Sequence, residues 1–267
     1  MATTAQYSFE HGIDHCGRDG IAPILHVGHK VTERDFVERD LSDVRGVVVS
    51  QRGLSTGTKW ADLNLAYLFS QLRSIEYLLI WFDDSINLTD IGHLPALRHL
   101  EVDCPTVRGT LQGELLNLRS AQVRWSDKCT ASLNAPNIDT LTLIRPLNDD
   151  LGIVGHLTSL ASLDIHYSRS LRSLSGIEKL YLLEWLGIHG CSMLTDLNSI
   201  DEMPSPTQLV VGGCNKFCDA VGATRFRRLN KLSIYRGPKG VHEILLSGAL
   251  AQRGCALDLR GVNAIQV

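Results

Sequence analysis

The 267-residue chain lacks most of the features that point to a function directly. No run approaches the roughly 18 consecutive apolar residues that span a bilayer, so a helical membrane protein is not expected. The opening residues, Met1 to Tyr7, do not have the basic-then-apolar order of a secretory signal, and a soluble cytoplasmic protein is the expectation. A dominant charge is missing too. Lys and Arg number 26 against 29 Asp and Glu, and a net charge of −3 gives no global pull toward nucleic acid or an anionic membrane. The seven cysteines are odd in number and unpaired in spacing, in a chain long enough to build a core, so no disulfide framework is called for. Aromatic residues make up only 6%, so any cluster of them is informative. Leucine is scarce at first: Leu25, Leu41 and Leu54 are the only ones before residue 63, whereas 38 of the 41 follow.

Those later leucines are periodic. The pattern apolar-x-x-apolar-x-x-apolar-x-apolar runs through Leu72, Ile75, Leu78, Ile80 and returns at Leu94, Leu97, Leu100, Val102. It recurs at Leu115, Leu118, Ala121, Val123, at Ala135, Ile138, Leu141, Leu143 and at Leu157, Leu160, Leu163, Ile165. Further copies are Leu180, Leu183, Leu186, Ile188, then Met203, Pro206, Leu209, Val211 and Phe226, Leu229, Leu232, Ile234, with Leu257 and Leu259 closing a degenerate one. From Ile80 the last apolar position advances by 22, 21, 20, 22, 23, 23, 23 and 25 residues, too regular for chance. Several units begin with the same three-residue rhythm, as in Leu171-x-x-Leu174-x-x-Ile177-x-x-Leu180. A period of three suits tight 3₁₀ turns, and the apolar-x-apolar end suits a short strand with alternating faces. One unit is therefore a strand plus a return segment of turns or short helix. No unit can bury its own leucines alone, but stacked units can.

On these residues the chain resembles the leucine-rich-repeat family over about residues 72–259, with an extension to Val44, Val47 and Val49. Its 21–23-residue units are most similar to the internalin-like class. The resemblance implies an α/β solenoid: a horseshoe with a parallel sheet on its concave face and turns, 3₁₀ segments or short helices on its convex face. It also implies an Asn or Cys just after each strand, bonding the turn. That place holds Asp83, Pro105, Ser126, Pro146, Ser168, Cys191, Cys214 and Gly237, of which the two cysteines match the pattern and Ser and Asp can accept similar bonds. The expected organisation is an N-terminal cap over 1–43, one solenoid of about ten strands over 44–259 with a helical insertion near 60–71, and a tail over 260–267. Ile21 to Val27 and Val44 to Val49 read as strands, and Val241 to Ala251 as a helix.

Several groups could carry chemistry. His11-x3-His15-Cys16 with His26-x2-His29 contains zinc-ligand types but no recognised zinc spacing, and Cys214-x3-Cys218 lacks a second pair. Gly53-x3-Gly57-Thr58-Lys59 falls short of a phosphate-binding loop, which needs Gly-x4-Gly-Lys-Ser/Thr. Asp164 and His166 flank Ile165, and His189 follows Ile188 one unit on, so strands about 4.8 Å apart would set the two histidines side by side with Asp164 diagonal to them. That grouping could orient a histidine for acid–base work or ligate a metal, or simply belong to a polar surface. A polar surface is the reading adopted, with no catalytic residue, metal or cofactor assigned.

The solvent-facing strand positions are the candidate binding surface: Tyr77, Leu79, Trp81, His99, Glu101, Asp103, Arg124, Asp164, His166, Trp185, His189 and Tyr235. Aromatics and arginine are enriched at protein-binding hot spots. Tyr77 and Trp81 could instead lie beneath a terminal segment. Glu101, Asp103 and Asp164 against Arg124 and Lys231 give a face of mixed charge, unlike a basic nucleic-acid groove. Ten strands make a shallow face of roughly 45 Å by 13 Å, which with its rims approaches the ~800 Å² per partner of a standard protein interface. The expected function is non-enzymatic: a protein that binds and sequesters another protein, such as an immunity protein inhibiting a bacterial toxin. The alternatives are a metal-dependent or histidine-based enzyme on the concave face, or a homo-oligomeric scaffold.

Overall fold

The computed structural model describes residues 24–27, 41–50, 65–81, 85–87, 89–108, 115–124, 133–195, 197, 203, 205–217, 221–235, 250 and 252–260. The chain divides into two compact units, one of Met1–Arg124 with Ser132–Ala135, the other of Trp125–Ala131 with Pro136–Val267. Among the described residues no helix is long and apolar enough to cross a membrane. The N-terminal histidines and Cys16 (apart from the backbone of His26), the segment from Gly53 to Lys59, Cys218, Asp83, Ser126, Gly237, most of the expected C-terminal helix and the tail beyond Arg260 lie outside the described residues.

The first unit runs β1 (Ile24–Val27), β2 (Gly46–Ser50), a short helix α1 (Leu65–Gln71), β3 (Tyr77–Trp81), β4 (Ser85–Asn87), a 3₁₀ segment Thr89–His93, β5 (His99–Asp103), β6 (Thr106–Arg108) and β7 (Ser120–Arg124). Strands β1, β2, β3, β5 and β7 pair in that order, all parallel. β1 falls within the segment expected as a cap and adds a strand before Val44. The short strands β4 and β6 form a separate parallel pair on the return segments, where the periodicity suggested turns. The second unit contains β8 (Thr140–Ile144), β9 (Ser162–His166), β10 (Trp185–His189), β11 (Gln208–Gly212), β12 (Lys231–Tyr235) and β13 (Ala256–Arg260), parallel neighbours in chain order. Its return segments include 3₁₀ turns at Gly152–Val154, Ile177–Lys179 and Val221–Arg225.

Each unit is thus a parallel-strand solenoid, and the hydrogen bonds show why the sequence has a period of three. The amides of Val154, Leu157 and Leu160 donate to the carbonyls of Leu151, Val154 and Leu157, each three residues back. Ile177, Leu180 and Leu183 do the same onto Leu174, Ile177 and Leu180, and in the first unit Leu94 and Leu97 onto Ile91 and Leu94. The i, i+3 leucines eclipse along one edge of these turns, and that edge faces inward. At the start of several strands one carbonyl receives two successive amides of the next repeat. Asp139 accepts from Ala161 and Ser162, Ala161 from Glu184 and Trp185, and Glu184 from Thr207 and Gln208.

The strands pair residue for residue, so Leu141, Leu163, Leu186, Leu209, Leu232 and Leu257 make one row and Leu143, Ile165, Ile188, Val211, Ile234 and Leu259 a second. Leu163 and Ile165 are wholly buried, as are Leu186 and Ile188 beside them. After the strand the backbone enters the left-handed region at Arg145, Tyr167, Gly190 and Gly213, with φ of 54°, 59°, 66° and 64°. This lets each amide reach the neighbouring repeat: Arg145 donates to His166, Tyr167 to His189, Gly190 to Gly212 and Gly213 to Tyr235. Buried side chains then hold the turn. Ser168 Oγ donates to the Pro146 carbonyl and accepts from the amides of Ser170 and Leu171. Pro146 therefore contributes through its carbonyl what its side chain cannot. Cys191 and Cys214 stack in the same place, and hydrogen bonding to Cys214 together with burial pushes the Cys191 thiol well above its ordinary range, so it stays protonated.

Two substitutions separate these contributions. Leu163→Ala should lower the unfolding free energy by about 2–5 kcal/mol, the cost of a cavity in mid-stack. Gly213→Ala should lower it by roughly 1–2 kcal/mol from the left-handed backbone alone, since the nearest atom to an added Cβ is 3.7 Å away. Urea midpoints for both variants check this, and an unchanged midpoint for Gly213→Ala would rule out the turn geometry given for it.

Candidate functional site

Strand alternation leaves the first, third and fifth residues on the outer face, and in β3, β5, β7, β8 and β9 all three are partly exposed. Of the residues expected there, Tyr77, Leu79, Trp81, His99, Glu101, Asp103 and Arg124 lie on the first unit. Asp164, His166, Trp185, His189 and Tyr235 lie on the second. In β10, β11 and β12 the middle positions, Gly187, Val210 and Ser233, are instead covered. Asp164 and His189 close over Gly187.

On the first unit the outer side chains are tied to one another across strands. The rings of Tyr77 and His99 stack with centroids 4.5 Å apart and planes 11° apart. Trp81 donates its indole N–H to Glu101 Oε1 at 2.8 Å, and Gln122 donates to the same oxygen at 2.9 Å. Arg124 Nε lies 3.4 Å from Asp103 Oδ1. Trp81 is thus a hydrogen-bonded member of the face, with its neighbour's carboxylate as acceptor.

On the second unit the same logic produces one connected cluster. Pairing of β9 with β10 sets His166 opposite His189, and their rings stack with centroids 4.7 Å apart. His189 Nε2 lies 3.4 Å from Asp164 Oδ1, and Trp185 donates its indole N–H to that oxygen at 3.1 Å. On the other side His189 Nδ1 is 2.6 Å from the Tyr235 hydroxyl, reaching across β11 to β12. That reach depends on two glycines. A Cβ on Gly212 would collide with the Tyr235 ring, and one on Gly187 would collide with Asp164 Oδ1 and stand 2.8 Å from His189 Nε2. Gly187 and Gly212 are the positions of this cluster that leucine periodicity does not single out. The available signal is an isolated glycine inside an alternating strand, which marks a close approach.

Electrostatics follow from this packing. Burial alone would raise the Asp164 carboxyl, and it is the largest single effect. Hydrogen bonds from His189 and Trp185, with the charges of His189 and His166, outweigh it and hold the carboxyl below its ordinary value. His166 is pushed down from 6.5 by burial and by the charge of His189, against a smaller opposing pull from Asp164. Among the described residues Asp164, His166 and His189 also form one group whose metal-ligating atoms all lie within 4.8 Å of one another.

No protein-family model and no curated protein sequence matches the chain. Solved structures do. The leucine-rich repeat domain of the type III effector XopL matches 92% of this chain and 78% of its own length at 16% identity, with a TM-score of 0.48. An internalin from Listeria monocytogenes matches 88% of this chain and 85% of its own length at 18% identity, TM-score 0.30. A leucine-rich-repeat protein of Leptospira interrogans matches 88% and 89% at 15% identity, TM-score 0.30.

The titrating pair predicts how stability depends on pH. The folded-state pKa of His166 lies below 6.5, so as pH falls the unfolded chain takes up the proton first. Stability is complete above 6.5 and declines as pH drops toward the folded value. The Asp164 contribution is complete above 3.8 and is lost as pH falls through its depressed value. His166→Gln should flatten the first decline and leave the second. Urea midpoints from pH 8 to 3 measure both, and an equal decline between pH 7 and 5 in the variant counts against the His166 assignment.

Proposed function

We propose that this is a leucine-rich-repeat chain whose units bind another protein through their outer strand faces, without catalysis. The observation that supports this is that the face is already ordered. Tyr77 on His99, Trp81 and Gln122 on Glu101, Trp185 and His189 on Asp164, and Tyr235 on His189 are fixed by cross-strand contacts before any partner arrives. Immobilising a flexible side chain on association costs roughly 0.5–1.5 kcal/mol, and a face whose side chains are already held avoids much of that. Partly exposed aromatics beside carboxylates suit a partner surface of mixed charge, with Trp81 the anchor on the first unit and Trp185 the anchor on the second.

The narrower form of the reading is a cytoplasmic inhibitor that covers its partner's working surface, as an immunity protein covers a toxin. The rigidity of the face supports occlusion: tight, slow-release binding follows when little ordering is required.

Full-length chain immobilised on beads and exposed to native lysate should retain a protein that Trp185→Ala or Trp81→Ala releases. Tyr181→Ala should not release it, because Tyr181 lies in the exposed turn before β10 and not on the strand face. Calorimetry on the captured partner should show at least a tenfold loss for the tryptophan variants, with their circular dichroism unchanged. Equal retention by all three variants would exclude the strand face as the binding surface. Displacement of the captured protein's own activity by the wild-type chain tests the inhibitor form separately.

A further inference from the structure

We propose that Asp164, His166 and His189 form a binding site for one divalent transition-metal ion of the zinc type. The donor set is two imidazole nitrogens and one carboxylate oxygen, all within 4.8 Å of one another. Tetrahedral bonds of about 2.0–2.1 Å put ligand atoms roughly 3.4 Å apart. His189 Nε2 and Asp164 Oδ1 are already 3.4 Å apart. The ligating nitrogen of His166 lies within 4.8 Å of both atoms, and His166, half-buried like the other two, needs only to swing inward to complete a three-ligand face. Imidazole with carboxylate favours zinc and its neighbours over magnesium or calcium, which prefer all-oxygen sites.

Two further features are those of a metal site. The first is outer support. A ligating histidine normally hydrogen-bonds through its other ring nitrogen, and a ligating carboxylate is itself held. Here His189 Nδ1 meets the Tyr235 hydroxyl at 2.6 Å, and Asp164 Oδ1 receives the Trp185 indole N–H at 3.1 Å. The second is space. Gly187 lies beneath the gap between Asp164 Oδ1 and His189 Nε2, and any Cβ there would occupy it. All of these groups sit on paired strands of one unit, which fixes their spacing more firmly than a loop would.

The assignment fixes a proton position. Without metal, His189 Nε2–H points at Asp164 and Nδ1 accepts from the Tyr235 hydroxyl. With metal on Nε2, the single ring proton moves through solvent to Nδ1, the imidazole stays neutral, and the tyrosine hydroxyl turns to accept that proton. Coordination therefore switches the His189 tautomer, which a purely structural aspartate–histidine–tyrosine network would not do.

The test uses full-length protein stripped with chelator and titrated with zinc chloride at pH 7.5, in the absence of any partner, so its outcome is independent of protein binding. Calorimetry should give one ion per chain. His166→Gln and His189→Gln should each weaken it more than tenfold. Gly187→Ala, which alters no ligand, should weaken it too, and Tyr235→Phe should do so by about tenfold. Nitrogen-15 spectra of the histidine rings should show the His189 proton moving to Nδ1 at one equivalent. His166 lies at the surface, so His166→Gln tests the site even if His189→Gln does not fold. No binding overturns the proposal. So does stoichiometric binding that survives His166→Gln and Gly187→Ala, or an unchanged His189 tautomer.

Discussion

Residue-for-residue pairing of parallel strands is the constraint on which the rest of the chain depends. It makes like positions of successive repeats into neighbours about 4.8 Å apart. A repeat of some 22 residues has too few apolar groups to enclose itself, so each leucine is buried only because the next repeat offers another at the same height. The pairing of Leu163 with Leu141 on one side and Leu186 on the other is one instance. A slip of one residue would turn His166 and Asp164 inward and Leu163 outward, so the register is specified by burial itself. The 3₁₀ return turns obey the same constraint. They place a leucine every third residue along one inward edge, and their short i to i−3 bonds spend few residues on the return.

The same rule governs the outer face, where nothing apolar enforces it. Like positions become neighbours there too, so a histidine at the fifth strand position in β9 and in β10 must stack, and an aspartate at the third position of β9 must lie diagonal to the second of them. Side-chain size is then regulated across rows. Gly187 admits Asp164 and His189, and Gly212 admits the Tyr235 ring. Alanine in either place would break the chain of contacts that runs from Trp185 through Asp164 and His189 to Tyr235. On the first unit Glu101 accepts from Trp81 and Gln122 with no glycine in β3, β5 or β7.

The leucines made the repeat legible, because burial against a copy of itself leaves a periodic trace in the sequence. Strand limits, the i to i−3 turns and the closeness of His166 to His189 all follow from counting along that period. The short strands at Ser85–Asn87 and Thr106–Arg108 do not, since three residues of pairing leave no pattern distinct from a turn. Tyr235 could be placed on the outer face by counting, but not joined to His189, because the contact skips a strand and requires the absence of a side chain at Gly212. Burial of Val210 and Ser233 was equally hidden, because alternation alone puts them outward.

Stability does not account for the polar cluster on the second unit. Half-buried charges gain little net free energy from pairing, and well-packed apolar groups of similar size serve a fold at least as well. Burial works against the ionised form of Asp164, and hydrogen bonds from His189 and Trp185, with the charges of the two histidines, outweigh it. The inner rows already hold the strands together, with Leu163, Ile165, Leu186 and Ile188 wholly buried directly behind it. What the cluster adds is definition. A carboxylate, two imidazoles, an indole and a phenol are held at fixed positions on the accessible side of a sheet, each oriented by the next. In both proposals a protein surface or an ion would meet this arrangement from outside, and the leucines behind it hold its geometry constant.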